Sequence, residues 1–95
     1  MNRHVMKGSF YVITYDISDD RRRVQVSNLL KSYGERVQYS VFECWLTATE
    51  VEFLRERLKS KIDLASDSIR FYRPEGEVEV LGTGPLVEEV GFYVA

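Results

Sequence analysis

The sequence predicts an α+β domain, a ferredoxin-like sandwich with the element order β-α-β-β-α-β and an extra strand at its C-terminal end. Segments of strand length, rich in β-branched and aromatic residues, alternate with two segments whose apolar residues recur at helical spacing. Each of those two segments opens on residues that favour a helix N-terminus. A chain of 95 residues fits a single domain, residues 1–95. A domain this small buries more of its surface when it forms a homodimer.

The first strand and the first helix are marked by their composition. Residues 9–17 are apolar on both alternating faces, which predicts a central strand covered on two sides. Ser18 is the expected N-cap of a helix, with Asp19 and Asp20 in its first turn. The core-facing stripe of that helix consists of Val26, Leu29, Leu30 and Tyr33, and Gly34 is its expected stop.

The middle of the chain contains a long strand-like segment, residues 36–46. We interpret it as two strands divided at residues 39–41, because that division gives the β-α-β-β-α-β order. Thr47 and Glu50 have the spacing of a capping box, which opens a second helix. The core stripe of this helix consists of Val51, Leu54, Leu58 and Ile62. After a polar turn, residues 68–73 alternate apolar with polar side chains and predict the next strand.

The two ends of the chain are expected to lie outside this core arrangement. Residues 77–81 alternate as a further strand, and a segment rich in glycine and proline separates it from a last apolar stretch. A four-stranded sheet has no room for that tail, so residues 84–95 are expected to pack as a strand on the partner subunit. Residues 1–8 contribute to no periodic pattern and are a candidate for disorder.

Composition excludes several classes of function. No apolar run approaches the roughly 20 residues of a membrane helix, and the N-terminus lacks the apolar centre of a secretory signal. We therefore expect a cytoplasmic protein with no membrane partner. The single cysteine, Cys44, and the single histidine, His4, make a disulfide or a zinc site a poor expectation. A pair of catalytic histidines is excluded.

Charge is distributed unevenly along the chain, although the net charge is only −2. Residues 1–46 carry seven Lys and Arg against five Asp and Glu, whereas residues 47–95 carry six against ten. A phosphate-binding surface is therefore expected in the first half, where Arg21, Arg22 and Arg23 stand together. One interpretation is that these arginines pair with Asp19, Asp20 or nearby loops. The other is contact with nucleic-acid phosphates, which suits guanidinium geometry.

Asp16 is the strongest candidate for chemistry, because aspartate is disfavoured in an apolar strand and a buried carboxylate costs free energy unless it is paired. Either it ends the strand and bonds the turn at Ser18, or it is a hard-oxygen ligand for Mg²⁺ or Mn²⁺. A single carboxylate is a poor magnesium site. In a symmetric homodimer, two Asp16 side chains facing each other across the two-fold axis would hold one cation between them.

Two strings together resemble the CRISPR-associated protein 2 family: YDISDDRRR at residues 15–23 and YGERVQYSVFEC at residues 33–44. The resemblance extends from about residue 10 to residue 81 and includes VEVLG at residues 78–82. It implies a ferredoxin-like homodimer whose C-terminal segment packs on the partner. It also implies two functions. Some members are metal-dependent endoribonucleases or DNases, and others are scaffolds that join the CRISPR integrase, CRISPR-associated protein 1, around duplex DNA.

The resemblance also implies roles for individual residues. Asp16 corresponds to the family's metal-binding aspartate and Tyr15 to the aromatic residue before it, which makes these two the predicted catalytic residues. The predicted nucleic-acid-binding residues are Arg21, Arg22 and Arg23 of the basic run, and Ser40 and Phe42 of the SVFE motif. Without the resemblance, Ser40, Phe42 and Glu43 read as ordinary alternating strand residues. The implied function is CRISPR adaptation through metal-dependent cleavage of RNA or DNA, or the alternative of a non-catalytic scaffold.

Overall fold

A computed structural model describes residues 8–83 and the backbone of residues 93–94. The elements are β1 Ser9–Asp16, α1 Asp20–Lys31, β2 Gly34–Gln38, β3 Val41–Leu46, α2 Ala48–Lys59, β4 Ser68–Tyr72, β5 Glu79–Val80 and β6 Tyr93–Val94. The first six follow the predicted β-α-β-β-α-β order, so the ferredoxin-like α+β fold and the division of the long middle segment are confirmed. The predictions for residues 1–7 and 84–92 lie outside the described residues.

The main sheet has the order β2-β3-β1-β4, and every neighbouring pair of strands is antiparallel. β1 is central, as predicted. Its Ile13 lies opposite Phe42 on one side and Phe71 on the other. This arrangement puts the C-terminal end of β1 beside the turn between β2 and β3 on one side and the start of β4 on the other.

The core lies between one face of the sheet and the two helices. Its buried members are Ile13, Tyr15, Ile17, Val26, Leu30, Phe42, Cys44, Leu46, Val51, Leu54 and Leu58. They alternate along β1 and β3 and recur at helical spacing in α1 and α2, as burial of one strand face and one helix face requires. The opposite face of the sheet carries the other alternating set, including Thr14, Asp16 and Glu43.

The helix starts were predicted with mixed success. The N-cap of α1 is Asp19, whose carboxylate accepts a hydrogen bond from the Arg22 backbone N–H at 2.9 Å, so the assignment to Ser18 was wrong by one residue. The capping box of α2 is confirmed. The Glu50 N–H donates to Thr47 Oγ1 at 3.1 Å, and the Thr47 N–H donates to Glu50 Oε1 at 2.8 Å. The second helix ends at Lys59, so Ile62 packs on the core from beyond it.

Gly34 has a different role from the predicted helix stop, because it is the first residue of β2. A Cβ atom added there would lie 2.2 Å from the Glu43 carbonyl oxygen and 2.6 Å from Cys44 Sγ. Glycine is therefore required for the close approach of β2 to β3.

The last part of the chain forms a second, smaller sheet. The strand predicted at residues 77–81 is limited to Glu79–Val80, which pairs in parallel with Tyr93–Val94 of the same chain. The backbone described in the tail is thus paired within its own chain. Neither of the two helices found among residues 8–83 combines the length and apolar character needed to cross a membrane.

Candidate functional site

Asp16 is the last residue of β1 and is exposed. Alternation along the strand puts its side chain on the sheet face that the helices do not cover, and there it lines a shallow pocket with Thr14, Tyr15, Ser68 and Arg70. Asp16 ends the strand, as one of its two interpretations had it, so its carboxylate is not desolvated within the apolar segment. The carboxylate is instead available to solvent and to a ligand.

Arg70 is a pocket residue that the sequence analysis missed. It lies opposite Thr14 in the pairing of β4 with β1, two residues along the strand from the Asp16–Ser68 pair and on the same face of the sheet. The pKa of Arg70 is raised, mainly by a hydrogen bond to the Tyr72 hydroxyl and further by the charge of Asp16. A fixed positive charge therefore stands beside the Asp16 carboxylate. Only the strand order brings the two together, since 54 positions separate them in the chain.

Tyr15 points to the other face of the sheet and is 5% exposed. Its ring packs on that of Phe42 with centroids 6.4 Å apart, and its hydroxyl donates to the Tyr39 carbonyl oxygen at 3.3 Å. Because consecutive strand residues face opposite sides, the Tyr15 ring packs in the core, although Tyr15 is also among the residues that line the Asp16 pocket. The structure gives Tyr15 a packing role beside Asp16, and its predicted catalytic role stays a prediction.

Arg22 forms an ion pair in which the acid is enclosed and the arginine is half-buried. Its Nε donates to Asp67 Oδ2 at 2.7 Å and its Nη2 to Asp67 Oδ1 at 3.2 Å, while the Asp67 side chain is fully enclosed. The Asp63 backbone N–H donates to the same carboxylate at 2.9 Å. These bonds, the Arg22 bond first, lower the pKa of Asp67. Arg22 thus fastens the start of α1 to the loop before β4, which holds Ser68 beside Asp16.

Arg23 fixes the loop that follows Asp16. Its Nη1 donates to the Ile17 carbonyl oxygen at 3.0 Å, its Nε donates to the Tyr39 hydroxyl at 3.0 Å, and it pairs with Asp20. Pairing with nearby acids and loops, one of the two interpretations of the basic run, therefore describes Arg22 and Arg23. Within residues 8–83, the exposed side chain of Arg21 has no ion-pair or hydrogen-bond partner, which leaves it available to a phosphate.

The two SVFE residues differ in their exposure to solvent. Phe42 is 0% exposed and lies in the core, so its ring cannot touch a nucleic acid in this fold, and its predicted binding role is not supported. Ser40 lies in the turn between β2 and β3 and is half-buried. Its carbonyl oxygen accepts a hydrogen bond from the Tyr15 N–H at 3.1 Å, which ties the turn to the end of β1.

The described residues of one chain provide only some of the oxygen ligands that a divalent cation needs. Among residues 8–83, no group of three or more His, Cys, Asp or Glu side chains converges as a set of metal ligands. Among the described residues that line the pocket at the end of β1, Asp16 is the one carboxylate, and Ser68 and Thr14 lie in the same pocket. Mg²⁺ and Mn²⁺ prefer such oxygen ligands and commonly keep several waters or substrate phosphates. The donor chemistry fits either ion, but as a half-site that needs further oxygens.

Two side chains next to each other in β3 carry shifted pKa values. Glu43 is 8% exposed on the helix-free face of the sheet, and its Oε1 has no hydrogen-bond partner within the described part of the chain. Burial raises the pKa of Glu43. Burial also raises the pKa of the Cys44 thiol to about 12, which keeps it protonated and unreactive at neutral pH.

Substitution of Glu43 by glutamine is expected to stabilise the protein at pH 8 by on the order of 1 kcal/mol. Because the pKa of Glu43 is raised in the folded state, the parent protein loses stability as the pH rises through that pKa. In acid, Glu43 is protonated in both the folded and the unfolded state, and no stability is lost. The advantage of the variant should therefore vanish toward pH 4. Urea unfolding from pH 4 to pH 8 measures this.

The matched control is Glu35→Gln, because Glu35 lies directly opposite Glu43 on β2 but is exposed. It should change the free energy of unfolding little at any of these pH values. If Glu43→Gln were instead less stable than the parent protein at pH 8, the ionised Glu43 would have a compensating partner, and the assignment of an unsatisfied carboxylate would fail.

Comparison with known proteins adds a family to this geometry. The family model described as CRISPR associated protein Cas2 matches residues 9–78, which include every element from β1 to β4. "CRISPR-associated endonuclease Cas2 2" of Thermus thermophilus is 58% identical over 78 residues, which cover 82% of this chain and 87% of that protein. "CRISPR-associated endoribonuclease Cas2 3" of Synechocystis sp. is 46% identical over 88 residues, which cover 88% and 96%.

Solved structures show the same fold. The crystal structure of a hypothetical protein from Thermus thermophilus superposes with a TM-score of 0.77 at 56% identity, over 82% of this chain and 95% of that one. The crystal structure of Streptococcus pyogenes Cas2 at pH 6.5 gives a TM-score of 0.66 at 39% identity, over 70% and 86%. The similarity therefore covers the sheet, both helices and the strand that carries Asp16.

Proposed function

Because the chain belongs to the CRISPR-associated protein Cas2 family, we propose that it is a metal-dependent endonuclease of CRISPR adaptation that hydrolyses phosphodiester bonds in RNA or DNA in the cytoplasm. The observation that carries the proposal is the exposed Asp16 carboxylate, which shares a pocket with Ser68 and Arg70 at the end of β1. The relatives named as an endonuclease and an endoribonuclease support the same class of reaction.

In this proposal each residue of the site has a separate task. Asp16 holds Mg²⁺ or Mn²⁺, and a second copy of the chain in a homodimer contributes another Asp16 to the same ion. Bound there, the cation supplies Lewis-acid stabilisation of the charge that develops on the phosphate. Arg21 and Arg70 are the cations that bind the phosphate backbone and orient it. Arg22 and Arg23 hold the surrounding loops through the bonds to Asp67 and to the Ile17 carbonyl.

The test is the substitution Asp16→Asn, which keeps the size of the side chain but removes the charge that holds the cation. Mg²⁺-dependent cleavage of single-stranded RNA, single-stranded DNA and duplex DNA should fall by about a hundredfold or more. Binding of the same nucleic acids, measured without metal, should change little because the phosphate-binding arginines remain.

The control is Glu56→Gln on α2, which makes the same change of charge at an exposed site remote from the pocket. It should cleave as the parent protein does. If Asp16→Asn and the parent protein cleave equally, the cleavage comes from a contaminant and the catalytic proposal is overturned.

A non-catalytic scaffold is the second candidate function, and the incomplete donor set at Asp16 favours it. In that case the homodimer binds duplex DNA and the CRISPR integrase, CRISPR-associated protein 1, and cleaves nothing. Phosphate contacts would then give binding that weakens steeply as salt concentration rises. Binding of duplex and of the integrase by a parent protein without metal-dependent cleavage would identify this function.

A further inference from the structure

The turn between β2 and β3 presents an aromatic ring to solvent. Tyr39 is 69% exposed, which is unusual for a tyrosine that is also held in place. Its hydroxyl accepts a hydrogen bond from Arg23 Nε at 3.0 Å, and its carbonyl oxygen accepts one from the Tyr15 hydroxyl at 3.3 Å. The ring is therefore oriented by bonds at its hydroxyl and at its backbone, while most of its surface is left free.

Two guanidiniums lie over this ring, and the first is that of Arg23, whose Cζ atom is 5.9 Å from the ring centre. The Arg36 Cζ atom is 5.9 Å from the centre of the Tyr39 ring and 5.4 Å from that of Phe42, and its Nη2 donates to the Ser27 hydroxyl. Arg36 has no carboxylate partner among residues 8–83. With Lys31 it lines a groove between α1 and β2 that runs up to Tyr39. Asp20 also lines the groove, but it pairs with Arg23, so Arg36 supplies positive charge that no carboxylate in the described part of the chain pairs with.

This groove is connected to the Asp16 pocket. Arg23 bonds the Tyr39 hydroxyl with one nitrogen and the carbonyl of Ile17, the residue after Asp16, with another. An exposed ring with cations beside it is the arrangement by which proteins bind single-stranded nucleic acids, since any base can stack on the ring while the cations bind its phosphates. Tyr15 lines both the Asp16 pocket and this groove, so a nucleic acid bound at Asp16 lies next to the groove that leads to Tyr39.

We propose that Tyr39 is a stacking platform for one unpaired base of the nucleic acid bound at Asp16, and that Arg36 binds a phosphate next to that base. The inference rests on the proposed nucleic-acid function and adds to it a preference for an unpaired strand. Duplex DNA keeps its bases stacked on one another and gains nothing from the ring. RNA and DNA single strands carry the same chemistry at this site, so both are tested.

The experiment uses the full chain and short RNA and DNA single strands that contain the fluorescent base 2-aminopurine, with the matching duplexes for comparison. Stacking on Tyr39 should quench the fluorescence of the bound single strands. Tyr39→Leu should abolish the quenching and weaken single-strand binding about tenfold, with duplex binding unchanged. Tyr39→Phe keeps the ring and should keep most of the quenching. Phe53→Leu, at an aromatic residue 63% exposed on α2, should behave as the parent protein.

Each outcome bears on one of the two proposals. If the parent protein binds none of these nucleic acids, the proposed function fails. If it binds single strands but Tyr39→Leu binds and quenches equally, the stacking platform is overturned and the proposed function stands. If circular dichroism shows that Tyr39→Leu does not fold, the parent protein is compared with Tyr39→Phe instead. In that comparison, bound single strands that are quenched by neither protein contradict the proposal.

Discussion

Replacement of Phe42 by alanine is expected to destabilise the protein by about 3–5 kcal/mol, which is the usual cost of removing a buried phenylalanine ring. Phe42 is 0% exposed and is among the largest fully buried side chains. Its ring contacts that of Tyr15 on the neighbouring strand, so the cavity would open at the centre of the sheet. The midpoint of urea unfolding, with the slope held constant, measures the loss.

The control for this prediction is Phe53→Ala. It removes the same ring, but from a residue on α2 that is 63% exposed. It should alter the free energy of unfolding by no more than about 0.5 kcal/mol. A Phe42→Leu variant keeps most of the volume and should stay folded with unchanged affinity for nucleic acid. Equal effects of Phe42→Ala and Phe53→Ala, or lost binding in a folded Phe42→Leu, would contradict the core assignment.

Asp67→Asn is expected to lower the melting temperature by several degrees. The Asp67 side chain is fully enclosed and holds Arg22 by two hydrogen bonds. Without the Asp67 charge, the half-buried Arg22 keeps only the more distant Asp19 carboxylate, 3.9 Å from its Nη1, and losing one partner of such a pair is more harmful than removing both. Because the pKa of Asp67 is lowered in the folded state, the stability that it provides is present above its unfolded pKa of about 3.9 and is lost as the pH falls through its folded pKa.

Asp20→Asn is the matched control, because Asp20 pairs with Arg23 through a side chain that is 88% exposed. Exposed pairs contribute little, so its melting temperature should hardly change. The double variant Asp67→Asn with Arg22→Met should be more stable than Asp67→Asn alone. If the loss of stability in the double variant equalled the sum of the losses in Asp67→Asn and Arg22→Met, the two residues would not be coupled.

Local sequence patterns predicted the elements well because each element carries its own signal. The capping box of Thr47 and Glu50 requires only spacing within one turn, and the structure confirms it. Exact ends were harder. Ser18 and Asp19 are both good N-caps, and the choice between them depends on how the chain leaves the sheet. Gly34 follows an apolar helical stripe and therefore looked like a helix stop. The real reason for a glycine there is the close approach of β3, whose Glu43 and Cys44 are distant in the sequence and leave no local signal.

The candidate site was predicted only in part, because its members come together through the order of the strands. Asp16 stood out as an acid in an apolar segment, although the reason was exposure at a strand end rather than burial. Arg70 and Asp67 lie about fifty positions away, and the polar turn before β4 gave no sign that Asp67 is enclosed. The Arg21–Arg23 run could not be divided into one exposed and two engaged side chains without the helix in place.

The central position of β1 also affects how the chain folds during synthesis. β1 leaves the ribosome first among the strands of the main sheet, yet both of its edges are filled by later segments, so that Val12 pairs with Glu43 on one side and Tyr72 on the other. Until β4 is made, an apolar strand has an unpaired edge, which is the condition under which chains associate wrongly. Pairings this distant in sequence also slow folding. The strand order is therefore expected to slow the folding of the nascent chain.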